Sequence, residues 1–272
     1  MPDARARAQA RGVQPYREVE ELLDAGGFEA ALVAAPSSRH VEIIKTLADA
    51  GIPVLCEEPL GVDPVESREA GRIMDRAGLA LMVGYWRRFV PVLVELQERI
   101  AAGELGSLSL VSCFRWDERP QAADLRAASG GPFMSMGMHE LDMTRWLTGQ
   151  EIASAAGFAS PVGVDPPVDG DAESVAAVLR LSQGALATVS LGRHFAPGDA
   201  CRVQIVGTMG AEDVPFLWPP EGERVFLAAL KAQAEAFADA VRGAEPVGAT
   251  TEDAAKALEA AATVSSAISK SG

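Results

Sequence analysis

Proton-handling residues gather in one stretch of the chain, Ser129 to Gly149, which reads SGGPFMSMGMHELDMTRWLTG. Ser135, His139, Asp142 and Trp146 are spaced four, three and four apart, so on a helix they share one face. A hydroxyl, an imidazole and a carboxylate in one stripe, behind the flexible Gly130-Gly131 entry, suit proton transfer at a pocket wall. The same stripe fits a half-buried helix whose histidine is satisfied by Asp142 or by a carbonyl. LCEEPLG adds two adjacent carboxylates, Glu57 and Glu58, directly after an apolar run. Glu58 serves as a base if burial lifts it from about 4.3 toward neutral, with Glu57 sharing that role only if both side chains face one cavity, and the two form a solvated acidic turn otherwise. In VGYWRRF, Tyr85 and Trp86 are candidate pocket walls or core aromatics. Arg87 and Arg88 read either as an anion site or as an exposed pair.

The elements that must hold these residues follow from periodicity. Apolar strands are expected at Ala30–Ala35, Ile52–Cys56 and Leu79–Val83, separated by helices, with Ser37 and Ser38 capping the first. Asp63-Pro64-Val65-Glu66 is a helix start with an acidic N-cap, a first-turn proline and a glutamate at the third position. Near-continuous apolar strands alternating with helices predict a parallel sheet covered on both faces, half of a doubly wound α/β domain. A helix from Val90 to Ala102 and a strand from Ser107 to Phe114 lead to the polar stretch before Ser129. Beyond Gly149, strands at Ile152–Ala159, Ser174–Leu181, Ala185–Leu191 and Arg202–Val206 follow one another without helices, which predicts an antiparallel sheet. Helices at Phe226–Val241 and from Thr250 to about Ile268 close the chain. The boundary between the α/β half, residues 1–86, and the α+β half, residues 87–272, falls near Val83 to Phe89.

Length and composition narrow the class. At 272 residues the chain is long enough for one large or two modest domains. Twenty-four basic residues against 38 acidic ones give a net charge of -14, which argues against nucleic-acid or anionic-membrane surfaces. Cys56, Cys113 and Cys201 are far apart and odd in number, matching neither a disulfide framework nor a zinc site. No metal site is expected, and the acidic run from Asp165 to Asp171 lacks the calcium-loop spacing. The N-terminus has no apolar core of a secretory signal, and no apolar run approaches a membrane span. The expectation is a soluble, cytoplasmic protein with reduced thiols.

Several ordered segments resemble one family. The stretch ending HELDMTRWLTG is similar to the signature helix of the glucose-fructose oxidoreductase and inositol dehydrogenase family, Gfo/Idh/MocA. LVAAPSSRH (Leu32 to His40) is similar to its strand-end segment, LCEEPLG to its Glu-Lys-Pro motif, and VGYWRRF to its hinge strand. Segments from Glu235-Ala236-Phe237 to Thr251-Glu252-Asp253 also match. The resemblance implies an incomplete Rossmann-type parallel sheet domain followed by an α+β domain with an open, mainly antiparallel sheet. It also implies hydride transfer between NAD or NADP and a sugar, cyclitol or similar alcohol. On that reading Pro36, Ser37, His40, Glu57 and Arg87 face the dinucleotide, and Tyr85, Trp86, Arg88 and His139 face the substrate. His139, Glu58, Ser135 and Asp142 carry the proton chemistry, and the C-terminal sheet builds a homo-oligomer.

Three departures qualify that expectation. The family's opening strand, Gly-x-Gly-x-x-Gly loop and helix are not found in residues 1–272, and the chain starts where the family's second strand ends. Charge-assisted hydrogen bonds of that loop are each worth about 1.5–3 kcal/mol. Losing two or three weakens dinucleotide binding on the order of a thousandfold. It also leaves Ala30–Ala35 as an edge strand that a partner would cover. The motif lysine is Glu58, and the carboxylate before the signature histidine is Ser135. Three functions fit these features: an oxidoreductase, a redox-inactive relative doing acid/base chemistry with His139 and Glu58 and no dinucleotide, and a non-catalytic partner of an intact homologue.

Overall fold

The structure, a computed structural model, describes residues 2–269. Helices α1 (Pro2–Ala10) and α2 (Val19–Ala25) lead into strand β1 (Ala31–Val33). A 3-10 turn at Ser37–Arg39 opens α3 (His40–Asp49), followed by β2 (Val54–Cys56), α4 (Pro64–Ala77) and β3 (Leu81–Val83). The strands pair in parallel in the order β1-β2-β3. β2 is central and wholly buried, which is why it is apolar at every position. Helix α4 starts as its sequence requires: the Asp63 carboxylate accepts from the N–H groups of Val65 and Glu66, each at 2.8 Å. Gly78, at a positive φ of 66°, ends it. Ser37 and Ser38 do not cap α3, because the 3-10 turn intervenes and places Arg39 at the N-cap.

A second 3-10 turn, Trp86–Phe89, leaves the first sheet. It is followed by α5 (Pro91–Ala101), β4 (Leu108–Trp116), α6 (Ala123–Ala128), a π turn at Phe133–Gly137 and α7 (Met138–Thr148). Strands β5 (Ile152–Ser160), β6 (Ser174–Leu181), β7 (Leu186–Gly192), β8 (Ala200–Gly207) and β9 (Ala211–Leu217) come next, then α8 (Gly222–Val241) and α9 (Thr251–Ser269). The second sheet runs β5-β6-β7-β4-β8-β9. It is mixed, because β4 inserts between β7, to which it is parallel, and β8, to which it is antiparallel. β9 and α6 are not evident in the sequence. Pro215 obscures β9, and it is tolerated because β9 is an edge strand paired only with β8. Along β6, Val175, Ala177, Leu179 and Leu181 point into the core while the alternate residues face outward, so one face of this sheet is open.

Helix α9 belongs to both cores. Ala254 and Ala257 pack with Val33, Ile44 and Cys56 of the first sheet's core, and Leu258, Ala261 and Val264 pack with the second. α4 and α9 meet at Gly71, where a Cβ would lie 2.5 Å from Thr251 Oγ1 and 3.0 Å from its Cβ. The chain's last helix therefore packs into the cores of both sheets and ties them together.

Candidate active site

The stripe expected on one helical face is divided by the π turn. Gly130 and Gly131 adopt φ of 75° and 92°, and Phe133–Gly137 then winds wide before α7 begins. Ser135 bonds to groups other than His139: its hydroxyl donates to Gly131 O at 3.0 Å and accepts from Arg193 Nη2 at 3.1 Å. Arg193 is itself paired with Asp171 at 2.6 Å, so Ser135 belongs to a buried ionic cluster behind the site.

His139 and Glu58 come together. Nε2 of His139 lies 3.1 Å from Oε1 of Glu58, which follows β2 by two residues, and the side chains are 12% and 14% exposed. The rings of Tyr85 and Trp86 meet the imidazole edge-on, with centroids 6.0 and 6.2 Å away. Nδ1 of His139 is buried and has no protein hydrogen-bond partner. The Glu58 carboxyl is not lifted toward neutral. Burial pushes it up, but His139, reinforced by Arg115 and Arg87, outweighs burial and holds it below the ordinary carboxylate range. Glu58 is thus an anion beside the imidazole. Glu57 moves the other way, raised by burial and by Glu58. Its side chain packs on Gly84, where a Cβ would sit 2.6 Å from Glu57 Oε2.

His139 and Trp86 open onto a cavity of about 640 Å³. Its other walls come from the ends of β4 and β8 and the start of α8: Arg115, Trp116, Asp117, Asp199, Cys201, Glu223 and Phe226 among them. Sequence reasoning passed over these residues. The signal available was FRWDERP, a charged and aromatic cluster where an apolar strand ends, which is where open α/β and α+β sheets place functional groups. Arg115 is held by donation from Nη1 to Met136 O at 2.8 Å and by Asp117 at 3.5 Å. Burial raises the Asp117 carboxyl; Arg115 opposes that, while Asp199 and Glu140 add to it.

The remaining candidates are distributed as follows. Arg87 lines the cavity but is buried, with Nη1 2.6 Å from Glu140 Oε1 and its guanidinium over the Phe216 ring. Tyr85 is 1% exposed and stays behind His139 rather than in the cavity. Arg88 and Asp142 hold each other, as described below, and neither reaches the cavity wall. His40 is wedged between two strand-end loops, its Nδ1 3.0 Å from Pro59 O and its Nε2 2.8 Å from Ala35 O. It braces the sheet's carboxyl end and does not present a free nitrogen. Pro36 is exposed and Ser37 half-buried at that same end, beside β1.

Ligands of parallel sheets bind outside the carboxyl ends of the strands. Here that edge carries Pro36 and Ser37, Glu57 and Glu58, and Gly84, and it faces His139, as the Glu58 contact shows. Gly84 lets the Glu57 side chain pack against the backbone at this edge, since a Cβ there would lie 2.6 Å from Glu57 Oε2. These residues suit the nicotinamide end of a dinucleotide, which supplies a hydride acceptor. Among the described residues no group of His, Cys, Asp or Glu is arranged to hold a metal. No helix among them is long and apolar enough to cross a membrane. All three cysteines are free and buried, with thiols pushed up to about 12, 12 and 11 for Cys56, Cys113 and Cys201, burial being the main cause.

Residues 1–85 match the oxidoreductase family model with an NAD-binding Rossmann fold, and residues 93–211 match the GFO/IDH/MocA C-terminal domain. The chain belongs to the Gfo/Idh/MocA family. The rhizopine catabolism protein MocA of Rhizobium meliloti is 45% identical over 98% of this chain and 84% of its own length. Myo-inositol dehydrogenase Hyg17 of Streptomyces leeuwenhoekii is 34% identical over 89% of this chain and 79% of its own. Among solved structures, a myo-inositol dehydrogenase from Corynebacterium glutamicum superposes with a TM-score of 0.86 at 26% identity, covering 97% of this chain and 85% of its own. The Gfo/Idh/MocA architecture, a Rossmann-like parallel sheet followed by a mixed, mainly antiparallel one, is the one observed here.

Proposed function

We propose that the protein oxidises a secondary alcohol of a cyclitol, polyol or sugar-like ring with NAD or NADP, and that His139 is the base. The observation that carries this reading is the His139–Glu58 contact at 3.1 Å, placed where the carboxyl edge of the first sheet meets the cavity. Family membership and relatives named for inositol dehydrogenation and rhizopine catabolism support redox chemistry over a redox-inactive or partner-only role.

A dinucleotide held at the carboxyl edge of the first sheet, beside Ser37 and Glu57, would supply the hydride acceptor. The imidazole of His139 takes the hydroxyl proton, and the Glu58 carboxylate, 3.1 Å from Nε2, stabilises the imidazolium that results. A carboxylate at position 58 thereby supplies charge where the family lysine would have supplied a proton relay. Arg115 and Asp117 offer a donor and an acceptor on the cavity wall for neighbouring ring hydroxyls. Trp86 and Phe226, with ring centroids 4.9 Å apart, offer an apolar surface for the ring's C–H face.

The test is direct. Purified protein with NAD+ or NADP+ and myo- or scyllo-inositol should generate absorbance at 340 nm, and NADH or NADPH should bind with a change in nicotinamide fluorescence. Absence of turnover with these and other ring polyols, together with no fluorescence change into the millimolar range, would overturn the reading.

The open face of the second sheet supports homo-oligomer formation. Phe158, Val178 and Leu186 are exposed on it, and the cross-strand row Val178, Thr188, Ser112 and Gln204 is free of charge. A second copy covering this face would exclude water from Phe158, Val178 and Leu186. Val178→Asp should shift the species seen by sedimentation velocity toward monomer; an unchanged distribution would place the interface elsewhere.

A further inference from the structure

Arg88 and Asp142 form a two-pronged ion pair: Nη2 donates to Oδ1 at 2.6 Å and Nε to Oδ2 at 3.1 Å. Nη1 of the same guanidinium reaches Asp253 Oδ2 at 3.2 Å and Gly248 O at 3.3 Å. Asp253 in turn accepts from the N–H and the hydroxyl of Thr250, at 2.9 and 2.8 Å, at the start of α9. One guanidinium therefore joins the hinge turn after β3, helix α7 and the helix that ties the two cores together. The Arg88 and Asp142 side chains are 8% and 2% exposed, so water has little access to replace either partner.

We propose that Arg88, Asp142 and Asp253 form a hinge clamp that holds His139 against Glu58, which makes them positioning residues for the reaction proposed above, on which this inference rests. Asp142 lies one helical turn from His139 and on the same side of α7. Arg88 lies one turn of chain from Tyr85, whose ring abuts the imidazole. Glu58 belongs to the first sheet and His139 to the second domain, so their contact exists only while α7 keeps its register against the hinge. At 3.1 Å, a displacement of about 1 Å removes the hydrogen bond, and errors of that size in a catalytic geometry cost on the order of a hundredfold in rate. The fork supplies direction more than strength: burial still raises the Asp142 carboxyl although Arg88 lowers it.

The test compares Asp142→Asn, which keeps the shape and loses the charge, with Arg88→Lys, which keeps the charge and loses the fork. Arg68→Ala is the control, because Arg68 ties α4 to Glu252 and Glu259 of α9 at the surface, remote from the imidazole. Both clamp variants should lose about tenfold or more in kcat while KM for cyclitol and dinucleotide stays within about threefold. The His139 ring signals, one of three histidine sets in the chain, should move in their NMR spectra. Arg68→Ala should change neither. If Asp142→Asn does not fold, Arg88→Lys carries the comparison. The inference is overturned if folded clamp variants keep kcat and the His139 signals, if only KM changes, or if Arg68→Ala does the same as they do. Should the parent protein oxidise no cyclitol, the proposed function fails, and the His139 signals alone still decide whether the clamp positions the ring.

Discussion

Nε2 of His139 and Oε1 of Glu58 are 3.1 Å apart, although the two residues come from different halves of the chain and lie 81 positions apart in sequence. The contact joins the carboxyl edge of the first sheet to the helix of the second domain that walls the cavity. It also sets the Glu58 carboxylate, held below its ordinary range, beside the imidazole.

Replacing the counter-ion should weaken the base without removing it. Glu58→Gln keeps a hydrogen-bond acceptor and loses the charge that stabilises the imidazolium, so kcat is expected to fall roughly tenfold to a hundredfold. Steady-state kinetics at saturating cyclitol and dinucleotide measure this. A rate equal to that of the parent would make Glu58 a bystander.

The same pair sets an acid limit. Because the folded carboxyl of Glu58 is held below its ordinary value of 4.5, its contribution to stability is complete above 4.5 and is lost as pH falls through the lowered value. The thermal midpoint of the parent should therefore fall more steeply than that of Glu58→Gln as the buffer is taken below about pH 4.5. Parallel curves for the two proteins would contradict the sign.

Tyr85 imposes a limit at the alkaline end. Its hydroxyl is raised well above 10 by burial, with Glu58 and Asp142 adding to the effect. The stability it contributes is complete below 10 and is lost as pH rises above it, because the unfolded phenol then ionises and the folded one does not. Denaturant midpoints measured from pH 9 to 11 should decline, and Tyr85→Phe should flatten the decline. An equal slope in the variant would assign it to other groups.

The junction between α4 and α9 is tested by Gly71→Ala. A helical glycine replaced by alanine gains about 0.5–1 kcal/mol, but the new methyl would meet Thr251 Cβ at 3.0 Å, close to the backbone. Overpacking of that kind costs about 1–3 kcal/mol, so the clash should win. The thermal midpoint should drop by a few degrees, since about 1 kcal/mol corresponds to roughly 2–4 °C in a chain of this size. A higher midpoint would mean that α9 yields readily.

Much of the fold could be read from residue order because its signals are local. The three apolar runs of the first sheet, the Asp63-Pro64 cap and the alternation along β6 each depend on near neighbours. What escaped depends on distant ones. The parallel pairing of β4 with β7 joins residues more than seventy positions apart, and β9 is masked by Pro215. The site divides in the same way. His139 and Glu58 were identifiable by type and by family resemblance, and the structure brings them together. The π turn, which no side-chain periodicity announces, moved Ser135 into the Arg193 cluster, and the fork of Arg88 took Asp142 out of the cavity. Arg115 and Asp117 gained their place only when β4 ended beside α7.

The most direct measurement is the turnover of His139→Gln with ring polyol and dinucleotide beside that of the parent. A base removed from proton transfer should lower kcat by roughly a hundredfold to ten-thousandfold with KM nearly constant, and the far-ultraviolet spectrum should stay unchanged. A variant that turns over at the parental rate would show that the alcohol's proton leaves by another route.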